Sequence, residues 1–119
     1  MPLALVVEDD KGLCTIYDRL LRGMDYDVLE ASDGKIALDI LENHSPNVVF
    51  LDILLPRVNG LVVLDYIQNA PHLQNAHVVV VTSNRRFEKD VRELASVDFI
   101  LKPIRPAQIT DIAKRFSQV

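Results

Sequence analysis

The chain has 119 residues, of which 49% are apolar, 25% charged and 6% aromatic, with no Trp. That length and balance describe one globular domain cored by Val, Leu and Ile, and they exclude a disordered chain. A formal net charge of −4 argues against binding a phosphate backbone, and the single cysteine, Cys14, excludes an internal disulfide and a cysteine-built zinc site.

The first apolar run, Leu3 to Val7, reads as a buried strand and ends in Glu8-Asp9-Asp10. Asp10 is placed to cap a helix beginning near Lys11, with Leu13, Ile16, Tyr17, Leu20 and Leu21 as its apolar stripe. Cys14 on this helix reads as a small semi-buried residue rather than a redox group. Val28 to Ala31 is a second strand, and Glu30 within it points to a sheet edge. Ser32 or Asp33 then caps a second helix carrying Ile36, Leu38, Ile40 and Leu41.

Val48 to Leu51 is a third strand, continuously apolar, and it ends at Asp52. A third helix opens at Asn59-Gly60, carries Leu61, Leu64 and Ile67, and ends before Pro71. Val78 to Val81 is a fourth strand ending in Thr82-Ser83, followed by a short helix with Phe87, Val91 and Leu94. Phe99 to Leu101 is a short fifth strand, also near an edge, ending in Lys102-Pro103. Pro106 fits the first turn of a last helix with Ile109, Ile112, Ala113 and Phe116. No apolar run approaches the roughly 20 residues that span a bilayer, and Met1-Pro2-Leu3 lacks the marks of a signal peptide. A soluble, cytoplasmic domain is expected.

Strand and helix alternate five times, which implies an α/β fold with a parallel sheet, right-handed crossovers and helices on both faces. Ligand sites in such sheets lie beyond the C-terminal strand ends. Those ends carry Glu8, Asp9, Asp52, Thr82 and Lys102. Carboxylates held together repel, and a hard divalent cation with oxygen ligands resolves the repulsion; Mg²⁺ needs only one or two of them. Lys102 adds a positive charge for an incoming phosphoryl group, Thr82 a hydroxyl donor, and Asp52 a candidate nucleophile for an acyl phosphate. The repulsion is expected to raise at least one carboxylate pKa, and Asp52→Asn to stabilise the metal-free domain. His44, His72 and His77 are scattered, with no metal spacing among them.

With these ends in view the chain resembles a receiver domain of the two-component response regulators. The resemblance runs from Leu3 to Phe116 on four motifs: Leu5-Val6-Val7-Glu8-Asp9-Asp10, Asp52-Ile53-Leu54-Leu55-Pro56-Arg57-Val58-Asn59-Gly60, Val81-Thr82-Ser83 and Asp98-Phe99-Ile100-Leu101-Lys102-Pro103. It implies a flavodoxin-like (βα)5 fold with strand order 2-1-3-4-5. It further implies that Asp52 accepts a phosphoryl group from a phosphohistidine on a sensor histidine kinase or a histidine phosphotransfer protein. Mg²⁺ would be bound by Asp9, Asp52 and the backbone carbonyl of Leu54, with Glu8 acting mainly through water. Lys102 would pair with Asp52, and Thr82 and Phe99 would form the switch, read out on the surface of the fourth helix, fifth strand and fifth helix. The resemblance implies slow self-dephosphorylation rather than enzymatic turnover, and a downstream protein target or an output domain outside this chain. Residues 1–119 then form a single receiver domain, without direct nucleic-acid binding and without a membrane segment.

The sequence departs from the family pattern in places. Lys102 follows Thr82 by 20 positions, a short interval, and Ala95-Ser96-Val97-Asp98 replaces the usual Gly before the fifth strand. The fourth helix is therefore expected to be short or irregular. Phe99 lacks the hydroxyl of a Tyr, and the resemblance implies that positions 54 and 84, here Leu and Asn, flank the path of attacking water, where they would tune acyl-phosphate lifetime. An Asp-nucleophile phosphohydrolase would need an acid at position 54, which is Leu. A dinucleotide site would need glycines where Glu8-Asp9-Asp10 stand. The alternative kept is a receiver-like protein-binding module acting without phosphorylation.

Overall fold

Each of the five apolar runs forms a strand in the computed structural model, which describes residues 1–95 and 97–117. The order is β1 (Leu3–Val7), α1 (Lys11–Arg22), β2 (Asp27–Ala31), α2 (Gly34–Asn43), β3 (Val48–Leu51), α3 (Gly60–Asn69), β4 (His77–Thr82), α4 (Glu88–Leu94), β5 (Asp98–Leu101) and α5 (Pro106–Phe116). The strands form one parallel sheet in the order β2-β1-β3-β4-β5. The two strands with the weaker apolar patterns are the two edges.

Alternation along the central strands divides the core into two layers. Ala4, Val6, Val48, Phe50, Val79 and Val81 pack with Tyr17 and Leu21 of α1 and Ile109 and Ile112 of α5. Leu5, Val7, Val49, Leu51, Val78 and Val80 pack with residues of α2 and α3 and with Val91 of α4. Covering both faces leaves the central strands no polar side, which is why they are almost wholly Val and Leu. Full burial of each such side chain contributes about 1.5–3 kcal/mol before entropy is counted.

Caps fix where the helices begin. Asp10 accepts from the Leu13 N–H (3.1 Å), Asp33 from Ile36 (2.9 Å), and Asn59 from Leu61 (2.9 Å) and Val62 (3.2 Å). These caps set the first three strand-to-helix turns at one edge of the sheet. The ladder also continues one residue past the strands. The N–H of Glu8 reaches the Ala31 carbonyl (3.0 Å), that of Asp52 reaches Val7 (3.1 Å), and that of Lys102 reaches Thr82 (2.8 Å). Sheet hydrogen bonds thus hold the residues that follow the strands.

Two side-chain placements differ from the helical patterns. Ile16 is 46% exposed instead of joining the stripe on α1, because it borders a surface groove beside Lys102, Pro103 and Ile104. The fourth helix is short, as the Thr82–Lys102 interval requires. A 3-10 turn at Arg85–Phe87 precedes seven residues of α4, of which Val91 is buried while Leu94 is 40% exposed. Phe87 lies in the turn rather than on the helix. Ser96, in the segment that replaces the usual Gly, lies outside the described residues.

Candidate functional site

The sheet edge that gathers the strand C-termini brings Glu8, Asp9 and Asp52 together, with one carboxylate oxygen of each within 4.8 Å of the others. Glu8 and Asp52 are buried and Asp9 is exposed. Lys102, one residue beyond β5, donates from Nζ to Asp52 Oδ2 (2.9 Å) and lies 2.7 Å from Glu8 Oε1. The other Asp52 oxygen, Oδ1, accepts from the Leu54 N–H (3.0 Å), and Glu8 Oε2 accepts from the Asp10 N–H (3.1 Å). One ammonium therefore stands between two buried carboxylates, and Asp9 supplies a third negative charge at the mouth.

Electrostatics follow from that count. Burial pushes the Glu8 carboxyl above its ordinary range, outweighing its bonds to Lys102 and the Asp10 N–H, and the Asp52 charge adds to the rise. The expected raised carboxylate is thus Glu8, with burial ahead of repulsion as the cause. Burial pulls Lys102 the other way, but its hydrogen bonds to Glu8 and Asp52 win and hold the ammonium above its ordinary value. Lys102 stays charged at neutral pH. Cys14, whose Sγ donates to the Glu8 carbonyl (3.3 Å), is pushed up to about 11, first by burial and then by nearby carboxylates. It is a protonated, unreactive thiol.

Thr82, the last residue of β4, is fully buried, and its Oγ1 is the one buried side-chain polar atom among the described residues without a hydrogen-bond partner. An unpaired buried hydroxyl costs about 1–3 kcal/mol and so calls for a partner arriving from elsewhere. Phe99 on β5 stands opposite Val80 in the register and packs, half-buried, on the α2–α4 layer. Thr82 and Phe99 thus face the same layer on neighbouring strands. Leu54 is 45% exposed beside Asp52. A pocket lined by Asp9, Leu54, Leu55, Pro56 and Phe87 opens there.

The donor set suits a small hard cation: hydrated, charge-demanding and bound by oxygens alone. The carboxylates are held by the sheet and by N–H donors, so they are not free to move apart. The histidines take no part. His44 and His72 bond the backbone carbonyls of Ile40 (3.0 Å) and Leu41 (2.6 Å), and His77 bonds Asp98 (2.9 Å) at the N-terminal end of β4. Spacing along the chain does not announce one further pair. Arg57, in the loop after β3, binds Asp33, which reads from the sequence only as a helix cap.

Residues 4–114 match the family model of the response regulator receiver domain. The chain belongs to that family. It is 30% identical over 106 residues to the alkaline phosphatase synthesis transcriptional regulatory protein PhoP of Bacillus subtilis strain 168, covering 88% of this chain and 44% of that protein. It is 26% identical to the polar-differentiation response regulator DivK of Brucella anthropi, covering 94% of this chain and 93% of DivK. The receiver domain thus spans under half of PhoP and nearly all of DivK. Among solved structures, the bacteriophytochrome response regulator AtBRR superposes with a TM-score of 0.80 at 30% identity, over 100% of this chain and 94% of that one. The receiver domain of the sensor histidine kinase PA1611 from Pseudomonas aeruginosa PAO1 has the same fold, with a TM-score of 0.86 at 22% identity, over 97% and 96% of the two chains. Among the described residues of this receiver domain, no helix is long and apolar enough to cross a membrane.

Proposed function

We propose that this receiver domain takes a phosphoryl group onto Asp52 from a phosphohistidine of a partner sensor histidine kinase or histidine phosphotransfer protein. The observation that carries the reading is Lys102 bridging Glu8 and Asp52 while Asp9 completes a three-carboxylate cluster. A purely structural ion pair would not need a third carboxylate beside it or an unpaired Thr82 hydroxyl.

An Asp52 carboxylate oxygen attacks phosphorus, an O–P bond forms, and the N–P bond to the imidazole breaks. The imidazole leaves with the electron pair and is protonated from solvent. Asp9 and Asp52, with the Leu54 carbonyl, would hold Mg²⁺ directly, and Glu8 would act through water. Bound there, Mg²⁺ supplies charge neutralisation at the phosphoryl oxygens. The receiver domain of PA1611 holds a magnesium ion in its active-site cleft, which supports the choice of metal. Lys102 exchanges a carboxylate oxygen for a phosphoryl oxygen. The Thr82 hydroxyl gains its missing partner by turning to the phosphoryl group, and Phe99 fills the space behind it. The consequence is a changed α4–β5–α5 surface for a downstream protein or an output domain.

The domain is a phosphoacceptor in the cytoplasm rather than a turnover enzyme; the acyl phosphate is lost only by slow self-hydrolysis. Incubation with acetyl phosphate and Mg²⁺ should add one hydroxylamine-sensitive phosphate by intact mass. The label should vanish in EDTA. Absence of any label at saturating donor and metal would favour a binding module that works without phosphorylation.

A further inference from the structure

The loop from Ile53 to Asn59 links the acceptor to α3, and it is fastened in its middle to another element. Asp33, only 8% exposed, uses Oδ1 to cap α2 and Oδ2 to accept from Arg57 Nε (2.9 Å), with Arg57 Nη2 2.7 Å from the same oxygen as an ion pair. Arg57 sits at φ 66°, a left-handed conformation that Gly or Asn adopts more easily. An Arg there is explained by its side chain rather than its backbone. Beside it the chains touch backbone to backbone, since a Cβ on Gly34 would overlap the carbonyl of Val58. The near end of the same loop carries Leu54, whose N–H bonds Asp52 Oδ1, and Ile53, whose carbonyl accepts from the Gly60 N–H (2.9 Å).

An exposed ion pair alone contributes little. Here the carboxylate is covered, it is already fixed by its capping bond, and the guanidinium grips it from the one residue of the loop held at positive φ. Three positions separate Arg57 from Leu54, with Pro56 between them to limit slack. A shift at Arg57 therefore passes directly to the backbone that meets Asp52.

We propose that Asp33 and Arg57 are positioning residues for the phosphoacceptor site, a latch that ties the loop after β3 to the start of α2 and so fixes the backbone of Leu54 against Asp52. The proposal rests on the metal reading above for its effect on Mg²⁺, but the backbone effect stands without metal. Arg57→Gly relaxes the left-handed backbone and removes the grip. Asp33→Asn keeps a capping oxygen and turns an amide N–H towards the guanidinium.

The test combines hydrogen exchange of the Leu54 amide in EDTA with Mg²⁺ titration by calorimetry. Both single variants should exchange faster at Leu54. Both should weaken Mg²⁺ by about three- to tenfold, below what direct partners of metal ligands cost, because Arg57 is half exposed and acts through the loop. The double variant should lose no more than either single, and Arg57→Lys should recover part of the affinity. Urea midpoints of the Gly variant should stay near the parent, because relaxed backbone offsets the lost pair. Unchanged Leu54 exchange, or losses that simply add in the double variant, would overturn the latch. A parent that binds no Mg²⁺ while the variants still exchange faster would instead overturn the metal reading and leave the latch in place.

Discussion

At the residue scale, the stability of the site depends on which member of the Glu8–Lys102–Asp52 triad is removed, because a single ammonium balances two buried carboxylates. Lys102→Met leaves both acids buried without a cation and should cost about 1–3 kcal/mol in EDTA at pH 7, a buried-pair penalty reduced for the partial exposure of the amine. Glu8→Gln should behave oppositely. A Glu8 pKa raised in the fold means that its ionisation is penalised there, so stability is lost as pH rises from the unfolded value of about 4.5 through the folded one. The Gln variant escapes that loss, matches or exceeds the parent at pH 7 in EDTA, and loses its advantage as pH falls towards about 4.5. Urea melts at several pH values check this, and a Gln variant less stable at pH 7 would contradict it. The sequence expectation placed such relief at Asp52; the carboxyl that the structure raises is Glu8, where burial outweighs the bonds to Lys102 and the Asp10 N–H. Asp9, Asp52, Thr82 and Lys102 are legible in the sequence because each follows or ends a strand. The Glu8–Lys102 and Asp33–Arg57 pairs are not, since they depend on how far side chains reach across packed elements, which residue spacing does not encode.

At the element scale, α4 is the weakest covering of the sheet. It has seven residues, one buried side chain, and a 3-10 turn instead of a first helical turn. Few apolar contacts and an exposed flank mark segments that open locally below the global unfolding free energy. Amide exchange between Arg85 and Leu94 should therefore be faster than in α1, α2 and α3, and equal protection would show that so short a helix packs rigidly. The element lies between Thr82 and β5 in the chain, so under the proposed function it is one route by which a change at Asp52 would reach the surface. Its shortness is legible from the twenty-residue Thr82–Lys102 interval. The exposure of Ile16 is not. A five-residue stripe on α1 satisfies helical periodicity, but only four positions meet the sheet, and the groove beside Pro103 and Ile104 takes up the fifth side. The edge positions of β2 and β5 are legible from one charged residue and one short run, because an edge tolerates the exposure that a central strand does not.

At the scale of the whole molecule, five βα units place every strand C-terminus on one edge, and the order β2-β1-β3-β4-β5 puts β1 and β3 side by side at its centre. That adjacency is what sets Glu8 and Asp9 against Asp52, and it leaves β4 and β5 to bring Thr82 and Lys102 from one side only. Alternation and hydropathy in the sequence imply the parallel sheet; the strand order follows from the family resemblance, because apolar patterns alone fit more than one order of neighbours. The receiver domain thus gathers negative charge where β1 and β3 end and carries Thr82 and Phe99, the switch pair of the proposed function, on the flank that leads to α4, β5 and α5. The central claim is that Asp52 is the acceptor in this arrangement. The most direct test is to treat the domain with acetyl phosphate and Mg²⁺, reduce it with borohydride, which converts an aspartyl phosphate to homoserine, and map the product peptide by peptide. The account predicts homoserine at position 52 and nowhere else, with none formed in EDTA; homoserine at position 9, or an unmodified residue 52 in protein that carries the label, would contradict it.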